Sequence, residues 1–142
     1  MDFLTALRIS GSGLSVERTR VNLATSNLAN AETTRAPGGG AYKHLDPIIQ
    51  AVPFEPELDQ AAAPGPALTP VISGIAADNG QGRKVYSPGH PDADPEGFVT
   101  FPNVNPVHEV VNLMSASRSY EANATAIETL KTMAQRGLDI SR

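Results

Sequence analysis

The sequence predicts an α+β chain, in which long N- and C-terminal helices pair as a coiled-coil-like unit around a small β-rich, loop-rich middle. Three observations predict it. All 12 prolines lie between Pro37 and Pro106, and residues 1–36 and 107–142 contain none. Proline breaks helix interiors, so the two ends are free to be helical and the middle is not. Nine of the 12 glycines and five of the seven aromatics also fall in the middle. Finally, both ends carry apolar residues at helical spacing, and the middle carries short β-type runs. The division expected is an N-terminal helix over 1–31, a β-rich region over 32–103 and a C-terminal helix over 104–142.

In the first helix Leu7, Leu14, Val21 and Leu28 recur every seven residues. A seven-residue repeat keeps one seam facing a partner helix. Phe3, Ile9, Ala24 and Ala31 flank it, whereas Gly11 and Gly13 interrupt it. Each internal glycine costs a helix about 1 kcal/mol, so this helix is marginal alone. The junction Asn27-Leu28-Ala29-Asn30 has two readings: a frayed helix end, or a fixed joint between helix and β region.

The middle holds β-type runs at 42–52, 68–75, 84–87 and 98–101, bounded by Pro, Gly, Asn and Asp. Residues 55–67, EPELDQAAAPGPA, have Leu58 as their one bulky apolar residue and read as a mobile loop. The last helix starts with Asn105 as cap, Pro106 in the first turn and Glu109 near the positive dipole end. Leu113, Ala116, Tyr120, Ala124, Ile127, Leu130, Ala134 and Leu138 follow in three- and four-residue steps. Over 106–136 such a helix is about 45 Å long, with Gly137 as its expected stop.

A chain of 142 residues has room for one compact domain. It cannot bury both long helix seams within itself, so at least one must meet another molecule. The stretch MSASRSYEAN, residues 114–123, fits that need: small residues let helix backbones approach closely.

The totals exclude several function classes. The net charge is −4, from 11 basic and 15 acidic residues, and the longest basic run is Arg83-Lys84. Nucleic-acid binding, which draws on clustered Lys and Arg, is not expected. No cysteine is present, which removes disulfides, thiolate metal sites and a cysteine nucleophile. No cleaved secretory signal and no apolar run of the roughly 20 residues that span a bilayer are expected, hence no membrane insertion.

One acidic cluster invites a metal reading. Asp92, Asp94, Glu96 and Gly97 match the first half of a calcium loop, but the closing glutamate is replaced by Asn103 and prolines interrupt the loop. The competing reading is a solvated acidic turn. A metal enzyme built on His90, Asp92 and Asp94 is the weakest alternative, since His44, His90 and His108 lack ligand spacing. Serines 115, 117 and 119 have no neighbouring histidine or nucleophile elbow. No catalytic residue, metal site or cofactor is expected.

Two segments carry a family resemblance. SNLANAETTRAPGGGAYK, with Ser26, Asn27, Leu28, Ala29 and Asn30 at its head, resembles the signature of the flagellar rod and hook proteins. The Thr-Pro-Gly-Tyr turn of that family is expanded here, with Thr34, Pro37, Gly38 and Tyr42 spread apart. KVYSPGHPDADPEGFVTFPNVNPVHEVVNLMSASRSYEAN resembles the proximal-rod branch. The likeness covers 10–54 and 84–134 and is loose over 55–83. It implies a structural subunit of the rod, the drive shaft of the bacterial flagellum, which spans the periplasm. It implies delivery by the flagellar type III export apparatus without a cleaved signal peptide. The implied partners are copies of the chain, other proximal and distal rod subunits and the rod–MS-ring adaptor. It further implies terminal helices largely disordered before assembly. The interface expected on this basis is Leu7, Leu14, Val21, Leu28, Leu113, Ala116, Tyr120, Ile127 and Leu130. From a different class, the alternative is a soluble helical-hairpin adaptor binding one partner.

Overall fold

A computed structural model describes residues 3–53 and 67–140 of the chain. The loop expected at 55–67 therefore lies, except for Ala67, outside the described residues. Helix α1 runs Phe3–Ala29 and helix α2 runs Pro106–Ile140; between them come β1 Leu45–Pro53, β2 Leu68–Ala77, β3 Arg83–Tyr86 and β4 Phe98–Phe101. The strands form two separate antiparallel pairs, β1–β2 and β3–β4, rather than one sheet.

Helix α2 begins as its sequence requires. The Asn105 side chain accepts from the Val107 amide at 3.0 Å, and Pro106 occupies the first helical position, where no amide hydrogen is needed. Its end differs from expectation. The helix continues through Gly137 to Ile140, for 35 residues or about 52 Å. Gly137 is not among the glycines with positive φ, so it makes no left-handed cap and one glycine does not stop a long helix.

The two helices lie against each other, and the seam between them is not the leucine repeat. The buried face of α1 carries Val16, Leu23, Ala24 and Asn27. Leu7, Leu14, Val21 and Leu28 are only half-buried. Two residues advance a helix by about 200°, so Val21 and Leu23 point to nearly opposite sides. The seam mixes apolar residues with small and polar ones, supplied by both helices. Ala116 of α2 is fully enclosed. A Cβ on Gly13 would stand 2.9 Å from Asn123 Nδ2, so this glycine is where α2 comes close. The smallness of MSASRSYEAN thus serves this chain's own helix pair first. Ala116, expected at contacts with other subunits, lies inside its own.

The β1–β2 hairpin packs on α1 and not on α2. Its register runs from Leu45 opposite Ala77 to Pro53 opposite Leu68, with a bulge at Ile48/Ile49. The Ser12 hydroxyl donates to the Pro70 carbonyl and ties the hairpin to α1. In β3–β4 the rings of Tyr86 and Phe98 meet edge to face at 5.4 Å, and Val99 is fully buried.

Replacing Ala116 by leucine is expected to destabilise the helix pair by about 1–3 kcal/mol, since a closed seam must open for the added carbons. Thermal unfolding followed by circular dichroism checks this; an unchanged midpoint would mean the seam has room.

Candidate functional site

Three parts of the chain meet at the C-terminal end of α1. The meeting point is Asn27, 1% exposed. Its Nδ2 donates to the Leu45 carbonyl at 2.9 Å and to Glu109 Oε2 at 3.0 Å. Its Oδ1 accepts from the Leu45 amide at 3.0 Å and from the Tyr42 hydroxyl at 2.9 Å. A primary amide offers two hydrogens and two lone pairs, and here all four are used. Toward Leu45 the side chain behaves as a neighbouring strand would, filling both backbone groups at the start of β1.

Glu109 brings α2 to the same point. Its carboxylate is 2% exposed. Burying a carboxylate is costly unless it is paired and hydrogen-bonded. Oε1 faces His44 Nε2 and accepts from Asn112 Nδ2, both at 3.1 Å, while Oε2 holds Asn27. His44 Nδ1 in turn lies 3.2 Å from Asp46 Oδ2. A cavity of about 40 Å³ adjoins Asn27, Asp46, Glu109 and Asn112. It has the volume of a few waters, too little for a substrate.

The remaining motif residues shape the turn. Asn30 donates from both its backbone amide (3.0 Å) and its side chain (2.9 Å) to the Ser26 carbonyl, closing the helix end. Asn30 Oδ1 accepts from Thr33 Oγ1, and the Thr33 carbonyl accepts the Tyr42 amide. Ser26 Oγ lies 3.3 Å from the Tyr42 hydroxyl. Leu28 is half-buried and Ala29 exposed. Gly39 and Gly40, at φ 82° and 76°, let the expanded turn double back and return Tyr42 to Asn27. Of the two readings of Asn27, the geometry is that of the fixed joint.

The acidic segment 92–97 builds turns. Asp92 accepts from Thr34 Oγ1 at 2.8 Å and pairs with Arg35, which fastens the expanded turn to this loop. Asp94 Oδ1 accepts from the Glu96 and Phe98 amides at 3.0 and 2.8 Å. Both carboxylates are thus engaged by protein donors. Among the described residues, no group of three or more His, Asp or Glu side chains could hold a metal ion, and no helix is long and apolar enough to cross a membrane.

The other expected contact residues scatter around the helix pair. Leu113, Ile127 and Leu130 are half-buried, and Tyr120 is 41% exposed. Val21 and Tyr120, from opposite helices, meet across an open groove of about 320 Å³ completed by Arg18, Ser117 and Glu121.

Comparison with known proteins agrees with the joint's motif. Residues 7–36 match the family described as flagella basal body rod protein, and residues 96–140 match the C-terminal family of the flagellar basal body rod FlgEFG proteins. The flagellar basal-body rod protein FlgC of Escherichia coli O157:H7 is 38% identical over 143 residues, covering 100% of both chains. That of Bacillus subtilis (strain 168) is 38% identical over 145 residues, with 96% of this chain and 97% of the relative covered. That of Borreliella burgdorferi is 33% identical over 159 residues, covering 99% and 98%. The chain belongs to the FlgC family of flagellar basal-body rod proteins. FlgC-family membership makes it a structural rod component of the flagellar basal body. In FlgC terms, the Ser-Asn-Leu-Ala-Asn motif contributes one residue, Asn27, that binds three elements at once, and others that finish the helix.

Asn27→Ala is expected to cost about 2–4 kcal/mol, because it leaves a buried amide, carbonyl and carboxylate short of partners. Denaturant unfolding measures it; a loss under about 1 kcal/mol would show that the joint carries no weight. A second expectation concerns acid. The Thr34 hydroxyl foremost, and the Arg35 guanidinium with it, hold the Asp92 carboxyl below the ordinary aspartate range. A carboxyl lowered in the folded state lends its stability above the unfolded value and loses it as pH falls through the folded one. The turn-to-loop link should therefore persist from neutral pH down past about pH 4 and release only below it. Thr34→Ala should move the Asp92 carbon resonance midpoint upward in an NMR titration.

Proposed function

We propose that this chain is a proximal-rod subunit that cements neighbouring rod subunits through the helix face its own fold leaves uncovered. The observation that carries this reading is the groove between the helices. It joins Val21 of the leucine repeat to Tyr120 of α2, while the intrachain seam uses Val16, Leu23, Ala24 and Ala116 instead. Leu7, Leu14, Val21 and Leu28 keep part of their surface in solvent in the single chain. A heptad line on a helix already paired on another face suits a second helix partner. The occupant we assign is a terminal helix of an adjacent rod subunit, with an apolar side chain in the groove and flanking charges matched to Arg18 and Glu121.

On this reading the protein has no catalytic step. It transmits torque from motor to hook by the cohesion of many such contacts. The neighbours are copies of the chain, other proximal and distal rod subunits and the adaptor to the MS ring. The chain reaches the periplasmic rod through the flagellar type III export apparatus, uncleaved. Residues 1–31 and 104–142 are the assembling part, and 32–103 the β-rich part. The marginal, glycine-interrupted α1 supports a further point: contacts with neighbouring subunits add to the stability of a helix pair that the single chain holds weakly.

Val21→Glu is expected to abolish swimming while the protein is still found outside the cytoplasm. It places a charge in a contact between molecules and leaves the Val16–Leu23 seam intact. Motility, paired with detection of the variant in export fractions and in isolated basal bodies, tests it. Normal swimming would mean that this face is not packed in the rod.

A further inference from the structure

Among the described residues no strand packs on α2, so the backbone of this helix has no direct hold on the β1–β2 hairpin. The β1–β2 hairpin lies on α1 alone. A two-stranded hairpin is marginal in water and depends on what it is fastened to: here Ser12 holds Pro70 of β2, and Asn103 holds Asp78 just beyond it. His44 sits at the base of this hairpin. Its carbonyl accepts the Asp78 amide at 2.8 Å, one residue beyond the Leu45–Ala77 pair, so its backbone is the last rung of the ladder. Its side chain reaches α2 through Nε2, 3.1 Å from the buried Glu109 Oε1, while Nδ1 stays with the hairpin, 3.2 Å from Asp46 Oδ2 of β1. The ring is mostly enclosed, at 14% exposure. Glu109 is itself fixed by Asn27 and Asn112 and has little freedom to follow a moving partner.

From this geometry we infer that His44 is a positioning residue. It clamps the base of the β1–β2 hairpin to α2, so that hairpin and helix pair turn as one body under load. Asn27 pins the start of β1 to α1, and Ser12 pins β2 to the same helix. The His44 pin lies on the other helix, and it fixes the hairpin base against the helix pair as a whole. What the ring must supply is a donor at the Nε2 position, because Glu109 Oε1 is an acceptor.

The requirement makes the test specific. Glutamine in place of His44 can put an Nε2 donor near the same spot; leucine fills similar space with none. Hydrogen exchange is read by mass spectrometry on basal bodies isolated from cells carrying each variant. His44→Leu is expected to speed exchange of the 45–53 and 68–77 amides about tenfold or more, with α1 and α2 unchanged. His44→Gln should restore the hairpin to within about twofold of the unaltered protein. Unchanged strands in His44→Leu, equal acceleration of the helices, or a His44→Gln that behaves as the leucine variant would each overturn the assignment. If His44→Leu yields no basal bodies, His44→Asn decides, since its shorter side chain keeps a donor but cannot reach Glu109 Oε1 across the 3.1 Å contact that the ring makes. Faster exchange confined to the same two strands supports the clamp, and unchanged exchange there refutes it.

Discussion

A single buried amide with every hydrogen-bonding position filled holds both helices, the expanded turn and the start of β1 in one arrangement. Asn27 speaks to the backbone of β1, to a tyrosine returning from the expanded turn and to a carboxylate of α2. No other residue type does this. Aspartate would face Glu109 with a second charge and no donor; glutamine would overreach by a carbon; an aliphatic side chain would strand polar groups that water cannot reach. Glu109 tolerates burial only because Asn27, Asn112 and His44 surround it, and His44 in turn brings the hairpin base to α2. The joint is therefore one connected network, in which each partner lowers the cost of burying Glu109.

Much of this was legible in the residues. Proline exclusion located both helices, and the Asn105-Pro106 pair located the start of α2. The run at 98–101 became β4 unaltered. The leucine repeat was seen, but its direction was not. A heptad says that one line of a helix wants a partner, not whether that partner belongs to the same molecule. The true inner line, Val16, Leu23, Ala24 and Asn27, is short and ends in a polar residue, so it does not stand out by hydropathy. Gly137 was misjudged for a related reason: local propensity is a weak force against a helix already 30 residues long.

The sequence places Glu109 as a dipole partner, and the structure makes it a core group. The signal existed, since Glu109, Ala116 and Ile127 fall on one helical stripe, and a carboxylate within such a stripe must find donors. Which donors could not be read from spacing, because His44 and Asn27 are 65 and 82 residues away. The acidic turn shows the converse. Asp92 and Asp94 are spaced like metal ligands, yet each is spent on nearby protein donors.

The seam between the helices has a further property. Asn27 meets Glu109 at one point, and Gly13 meets Asn123 at another. Fourteen residues separate these points on each helix, from 13 to 27 and from 109 to 123. Two fixed points that far apart hold the helices in one lengthwise register. Neither helix can slide along the other without breaking a buried hydrogen bond at one point or driving backbone into a side chain at the other. A pull along the pair is therefore shared by both helices rather than taken up by slippage between them.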